Sequence, residues 1–194
     1  MWDHETIMMI VQGVGETLYM TVLSTVLGYL FGLPMGVLLA VSDKEGLKPN
    51  AVLYKILDAI ANIVRSIPFL ILLILLIPFI ARMVESSIKE VDAGVIEAAR
   101  AMGASNIRII VKVLLVEART SLITGATIAI GTILGYSAMS GAVGGGGLGD
   151  IAIRYGYYRY QSDIMIVTVI LLVVLVQIFQ SVGMMIANKI DRRK

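Results

Sequence analysis

Residues 164–187 read IMIVTVILLVVLVQIFQSVGMMIA, an apolar stretch without a charged side chain. Two further stretches of the same kind cover residues 17–41 and 121–143. At about 1.5 Å per helical residue, each is long enough to cross a hydrocarbon core of about 30 Å. The whole chain is 58% hydrophobic and 15% charged, whereas a soluble domain is about 45–50% apolar and about 25% charged. The sequence therefore predicts an all-α, polytopic transmembrane helical bundle, a single membrane domain over residues 1–194 that is embedded in the lipid bilayer.

The composition excludes several classes of protein. A net charge of +2 without a basic, aromatic-rich stripe does not fit nucleic-acid binding, and the absence of cysteine excludes disulfides and thiolate sites. We expect no catalytic residue, no cofactor and no metal, and we interpret His4 as solvated. Residues 144–149 satisfy G-x-G-x-x-G but follow a membrane span, so we interpret them as a turn. No basic residue precedes the first apolar stretch, which does not fit a cleaved signal peptide.

Lysine and arginine side chains cluster in residues 42–55, in residues 82–119 and at the C-terminus. The positive-inside rule places these three regions in the cytoplasm and the N-terminus outside. With the N-terminus outside and the C-terminus inside, the chain must cross the membrane an odd number of times. The three long stretches and the shorter apolar run at 67–81, which lies between the first two basic regions, make four. This run would reach only about 22 Å, and residues 56–64 before it have the pattern of an amphipathic interfacial helix. Either one span is absent, or residues 67–81 dip in and return; we favour an absent segment.

Residues 88–119 form a moderately polar region that predicts two helices with a break. The first helix should end at Met102, because Gly103 can adopt the left-handed conformation that terminates helices. Ser105 or Asn106 can cap the second helix. In that helix the spacing predicts one apolar stripe, with Arg108 and Lys112 facing away; its members are Ile107, Ile110, Val111, Leu114 and Leu115. From the residues alone, an amphipathic hairpin on the membrane surface explains this region.

The run EAARAMG at residues 97–103 resembles the EAA motif of the permease subunits of ABC importers. In that family the motif forms a coupling helix that binds a groove of the ATPase subunit. The resemblance implies a cytoplasmic coupling loop at about 84–118, with ATPase-coupling residues Glu97, Ala98, Ala99 and Gly103. The sequence departs from the motif at Val113, where isoleucine is usual, and at Val116, where proline is usual, so the exit angle of the second helix is open.

Four passages narrow the resemblance to the methionine permeases of these importers: GVGETL at 13–18, RSIPF at 65–69, IARMVE at 80–85 and GYSAMSGAVG at 135–144. This family has the type I ABC importer permease fold, with five spans, the N-terminus outside and the C-terminus in the cytoplasm. Members of the family normally have a loop and a further helix near the equivalents of Phe79 and Ile80. This is the part of the chain in which the number of crossings does not match the orientation given by the charges. The resemblance implies a homodimer in the bacterial inner membrane with two copies of an ABC ATPase subunit, which hydrolyses the ATP. It also implies an extracytoplasmic substrate-binding protein and amino-acid transport.

For the solute path we select Tyr136, Ser137, Met139 and Ser140, which bring hydroxyls and a thioether to the end of an apolar span. Polar residues there usually face a cavity or the bundle interior, although they also serve as contacts between helices. Glu16 lies at a span edge, where we expect an interfacial side chain. Two alternatives to methionine import stay open: an ATP-independent channel or non-transporting assembly subunit, and a permease for a different small solute.

Overall fold

The computed structural model describes residues 3–65 and 76–191, and every regular element in these ranges is helical. Helix α5 (residues 106–117) contains a π-helical turn at Ile110–Leu114, and α7 (147–157) ends in a second one at Ala152–Tyr157. A 3-10 turn, Gly141–Val143, follows the helix that ends at Ser140. The remaining helices are α1 (His4–Ser42), α2 (Ala51–Arg65), α3 (Leu76–Lys89), α4 (Ala93–Ala101), α6 (Arg119–Ser140) and α8 (Ser162–Ile190).

Three of the described helices are long and apolar enough to cross a membrane: His4–Ser42, Arg119–Val143 and Ser162–Ile190. They coincide with the three strong spans that the sequence predicts, and the all-helical membrane fold is confirmed. Much of their apolar surface is exposed, as at Leu30 of α1 and Ile170 of α8. Such a surface is stable in a lipid bilayer, because its apolar side chains contact lipid tails and not water. Helix α1 begins at His4, ahead of the predicted span, so Glu16 lies within the helix.

Helices α2 and α3 are the two arms of an antiparallel hairpin. Tyr54 near the start of α2 donates a hydrogen bond to Glu85 near the end of α3, and Asp58, one turn later, forms an ion pair with Arg82, one turn earlier. The chain therefore enters and leaves this hairpin at the same end. At about 1.5 Å per residue, the described parts of the two arms, of 15 and 14 residues, are each about 21–23 Å long.

The hairpin corrects the count of four apolar runs. The sequence assigned one run to residues 67–81 and an interfacial helix to residues 56–64, but α2 packs along α3 through its polar side, at Asp58. A chain that enters and leaves at the same end crosses the membrane an even number of times or not at all, as the charge pattern demands between residues 55 and 82. Most of the run 67–81 lies outside the described residues. The chain continues as one helix through Phe79 and Ile80, where a missing segment was predicted.

The chain divides into two compact units, the first made of the residues up to Val26 and Ile128–Val182, the second of Leu27–Thr127 and the residues from Gly183 onward. In the second unit, Gly32 and Gly36 of α1 let the helix backbone approach Ile80 and Val84 of α3. Close approach at small residues replaces the hydrophobic effect as a source of helix packing in membranes. The core of this unit includes the fully buried side chains of Leu39, Ile80 and Ile109.

Candidate functional site

Helix α4 and helix α5 form the polar hairpin predicted from residues 88–119. Asp92 caps α4 by accepting a hydrogen bond from the Gly94 amide at 2.7 Å. At the other end, Gly103 has φ of +77°, its amide donates to the Arg100 carbonyl, and the Ala104 amide donates to the Ala99 carbonyl. These two bonds define a Schellman motif. Ser105 then caps α5 through the Arg108 amide, so both predicted helix boundaries are confirmed.

The four predicted coupling residues do not share one surface. Glu97, Ala98 and Gly103 are exposed, and no atom lies within 4 Å of the position that a Cβ of Gly103 would take. Ala99, in contrast, is only 4% exposed and packs inward. A partner can therefore touch Glu97, Ala98 and Gly103 directly, whereas Ala99 packs α4 against the rest of this chain. The assignment of these residues to ATPase coupling stays a prediction.

The apolar stripe predicted for α5 is wrong in part. Leu114 is buried as expected, but Ile107 is 75% exposed and Val111 is exposed, whereas Ile109, which the pattern omitted, is fully buried. The π-helical turn at Ile110–Leu114 is the physical reason. A π turn holds more residues than an α turn, so the buried face passes from Ile109 to Leu114 and Ala118, a spacing of five and then four.

As a result, the tip of the hairpin carries an exposed apolar surface. Met102 is 81% exposed beside Gly103, and Ile107 lies across the turn. Glu97 of α4 adds a carboxylate, and Met102 is the C-cap residue of the same helix. Apolar side chains with a flanking charge are the composition of a protein–protein contact surface.

A network of charged side chains holds the base of the α2–α3 hairpin. Glu85 is buried and accepts from Arg82 at 2.7 Å and from Lys89 at 2.9 Å. Arg82 also pairs with Asp58, and Lys89 pairs at 2.7 Å with Asp43, just beyond α1. The Lys89 ammonium holds the pKa of Asp43 below its ordinary value. The network therefore ties the end of α1 to α3, and α3 to α2.

The four predicted solute-path residues are dispersed along the end of α6. Tyr136 is half-buried, Met139 is exposed, and Ser140 ends the helix. Ser137 is buried and its hydroxyl donates to the Leu134 carbonyl at 2.8 Å. Tyr136, Ser137 and Met139 do not line the cavity of about 320 Å³ between α6 and α8, whose walls are Leu134, Gly135, Ala138, Leu172, Val173, Val176 and Gln177. Their role in solute passage stays a prediction.

Sequence reasoning missed the attachment of the glycine run to α1. The Glu16 carboxylate accepts from the Gly147 amide at 2.8 Å, and the Thr17 hydroxyl accepts from the Leu148 amide at 2.9 Å. These bonds hold the start of α7, where Gly146 and Gly147 have positive φ. A polar pair inside an apolar helix is the one sequence signal that could have indicated this contact.

Comparison with known proteins defines the class. Residues 75–194 match the family described as "Binding-protein-dependent transport system inner membrane component". This match covers more than half of the chain, and the chain belongs to that family. It is therefore a multi-pass component of an inner-membrane transport system and not an enzyme.

Within the family, the chain is similar to methionine permeases. It is 44% identical to the probable D-methionine transport system permease protein MetI of Vibrio cholerae, over 92% of this chain and 90% of that protein. It is 39% identical to the methionine import system permease protein MetP of Bacillus subtilis, over 92% and 91%. A solved structure of inward-facing MetNI methionine ABC transporter matches with a TM-score of 0.94 at 42% identity, over 98% of this chain and 100% of the matched chain.

These comparisons support the prediction that a segment is absent from this chain. The alignments with both permeases are 203 positions long, although 92% of 194 residues is only about 178 residues. The relatives therefore contain about 25 positions without a counterpart here. About 20 residues form one membrane-spanning helix, so the difference is of the size of one span with a short loop.

Proposed function

We propose that the chain is the permease subunit of an ABC importer that moves methionine across the cytoplasmic membrane. Two copies line the path, two ATPase subunits bind from the cytoplasm, and an external binding protein delivers the substrate. The similarity to MetI and MetP over nine-tenths of the chain supports this proposal. The exposed tip of the α4–α5 hairpin, at Glu97, Met102 and Ile107, is the surface offered to the ATPase.

The mechanism is a rigid-body switch. Closure of the ATPase pair on ATP displaces α4, and the helices attached to α4 carry the displacement into the membrane. The passage then opens alternately to the two sides, without a chemical step on this chain. The short capped helix suits this role, because its Schellman end and its Asp92 cap keep it intact when it is pushed.

Reconstitution tests the proposal directly. The chain and the ATPase subunit of the same transporter are placed in liposomes with the external binding protein, and uptake of radioactive methionine is measured with ATP and without it. We expect uptake only with ATP. Uptake that ignores ATP would indicate a passive channel, and no uptake of methionine together with uptake of another amino acid would reassign the substrate.

The proposed orientation places the N-terminus outside, the α4–α5 hairpin and the C-terminus in the cytoplasm, and the segment between α6 and α8 outside. Because the chain has no cysteine, single cysteines report their position without background. Met102→Cys and Tyr160→Cys are matched sites, since Met102 is 81% and Tyr160 is 90% exposed.

In intact cells, a membrane-impermeant maleimide is expected to label Tyr160→Cys and to leave Met102→Cys unlabelled. Inverted membrane vesicles should reverse the result. If Met102→Cys reacts from outside in intact cells, the hairpin lies beyond the reach of a cytoplasmic ATPase and the proposed function is wrong.

A further inference from the structure

The segment between α1 and α2, residues 43–50, is a structured loop that belongs to the end of the first span. The Lys48 amide donates to the Val41 carbonyl and the Asn50 amide donates to the Ser42 carbonyl, both at 3.0 Å. Gly46 lies so close to the carbonyls of Ala40 and Val41 that a Cβ has no room there. The loop therefore folds back on the last turn of α1 and moves with it. We call this segment the α1–α2 loop.

The α1–α2 loop is joined to the helix that carries the EAA motif. Arg100, on α4, donates a hydrogen bond from Nη2 to the Leu47 carbonyl oxygen at 2.5 Å. These two residues are 53 positions apart in the chain. A guanidinium that donates to a carbonyl makes a charge-assisted bond, which is stronger than a bond between neutral groups. The Leu47 side chain is buried, and this packing fixes the position of the carbonyl that accepts the bond.

Apolar packing between the loop and α4 is incomplete. A cavity of about 220 Å³ is lined by Gly46 and Leu47 of the loop, by Ala93 and Ile96 of α4, and by residues of α1, α3 and α5. Dispersion contacts are lost across an unfilled space of this kind. The Arg100 bond therefore joins α4 to the α1–α2 loop at a place where their apolar packing is incomplete.

We propose that Arg100 is a positioning residue that transmits the displacement of α4 to the first span, α1, through the α1–α2 loop. This inference rests on the proposed function, because it presupposes that an ATPase displaces α4. The Lys89–Asp43 ion pair supplies a second attachment of the same loop, to α3. A displacement of α4 then moves α1 and α3 together.

The test measures coupling and not only activity. The chain is reconstituted with its ATPase subunit and the binding protein, and methionine imported per ATP hydrolysed is determined. For Arg100→Ala we expect this ratio to fall about tenfold, as the loss of one charge-assisted hydrogen bond predicts. Co-purification with the ATPase and the rate of ATP hydrolysis should stay close to those of the unmodified chain. Lys48→Ala, which removes an exposed cation of the same loop, is the matched control and should leave the ratio unchanged.

A cross-link between the loop and α4 tests whether a replacement attachment restores coupling. The double variant Lys48→Cys with Arg100→Cys is treated with a bifunctional thiol reagent that contains a cleavable disulfide. The cross-link is expected to restore the ratio, and reductive cleavage is expected to remove it again. A purely structural role of Arg100 would not produce this reversible recovery.

Two results would overturn the inference while leaving the proposed function intact: an unchanged ratio for Arg100→Ala, or loss of ATPase co-purification, which would place Arg100 in the docking surface. If Arg100→Ala does not fold, Arg100→Lys keeps the charge without the guanidinium fork and is assessed by the same two criteria. Failure of the unmodified chain to import methionine with ATP would instead reject the proposed function itself.

Discussion

Glu97→Lys is expected to abolish ATP-driven methionine import by the reconstituted transporter. Glu97 is an exposed carboxylate on α4, on the surface proposed to bind the ATPase. A basic side chain of the partner that pairs with Glu97 would face a like charge in this variant, and like charges brought together in an interface cost several kcal/mol. We expect more than a tenfold loss of import, accompanied by loss of the ATPase from the purified complex.

Glu117→Lys is the control for this variant, since Glu117 is an exposed carboxylate at the far end of α5. It makes the same change in net charge and should leave ATPase binding and import close to normal. Glu97→Gln, which keeps the shape and loses the charge, should lie between the two. Full import by Glu97→Lys would show that the exposed face of α4 is not the coupling surface.

The second large effect is expected at Arg82. This residue is the cation shared by Asp58 and Glu85, and Glu85 is only 5% exposed. Arg82→Met leaves the two carboxylates without it, and removing one partner from a buried ion pair is strongly destabilising. We expect the free energy of unfolding in detergent micelles to fall by about 2–3 kcal/mol.

Denaturant titration of the purified chain measures this change. Lys55→Met is the control, because Lys55 is an exposed cation of α2 and its loss should change the free energy of unfolding by less than about 0.5 kcal/mol. The double variant Arg82→Met with Glu85→Met should recover part of the loss, since it removes the buried charge as well. Equal stability of Arg82→Met and the unmodified chain would mean that the ion-pair network does not hold the hairpin together.

Much of the α4–α5 hairpin could be predicted because its signals are local. Gly103 and Ser105 each act on amides and carbonyls within a few residues, and such caps can be read from the order of residue types. The face of α5 could not be predicted in the same way. A π turn at Ile110–Leu114 leaves no mark in the residue pattern, and the stripe drawn with α-helical spacing failed at Ile107 and at Ile109.

The α2–α3 hairpin shows a different limit. Residues 67–81 were treated as one apolar run, because hydropathy averages over a window and does not register a reversal of direction. Charge parity did detect the inconsistency, since it counts crossings without locating them. The pairing of Asp58 with Arg82 then showed that α2 is one arm of the return.

The residue order by itself determined the membrane class, the three long helices, the C-terminal end of α4 and the relationship to the methionine permeases. Each of these depends on neighbouring residues, through periodicity, capping or a contiguous motif. The tertiary structure alone decided that Arg100 holds the Leu47 carbonyl, that Asp58 faces Arg82, and that Glu16 holds the glycine run at Gly147. These bonds join residues 24 to 131 positions apart, and a bond across such a separation depends on how helices pack, which no local pattern encodes.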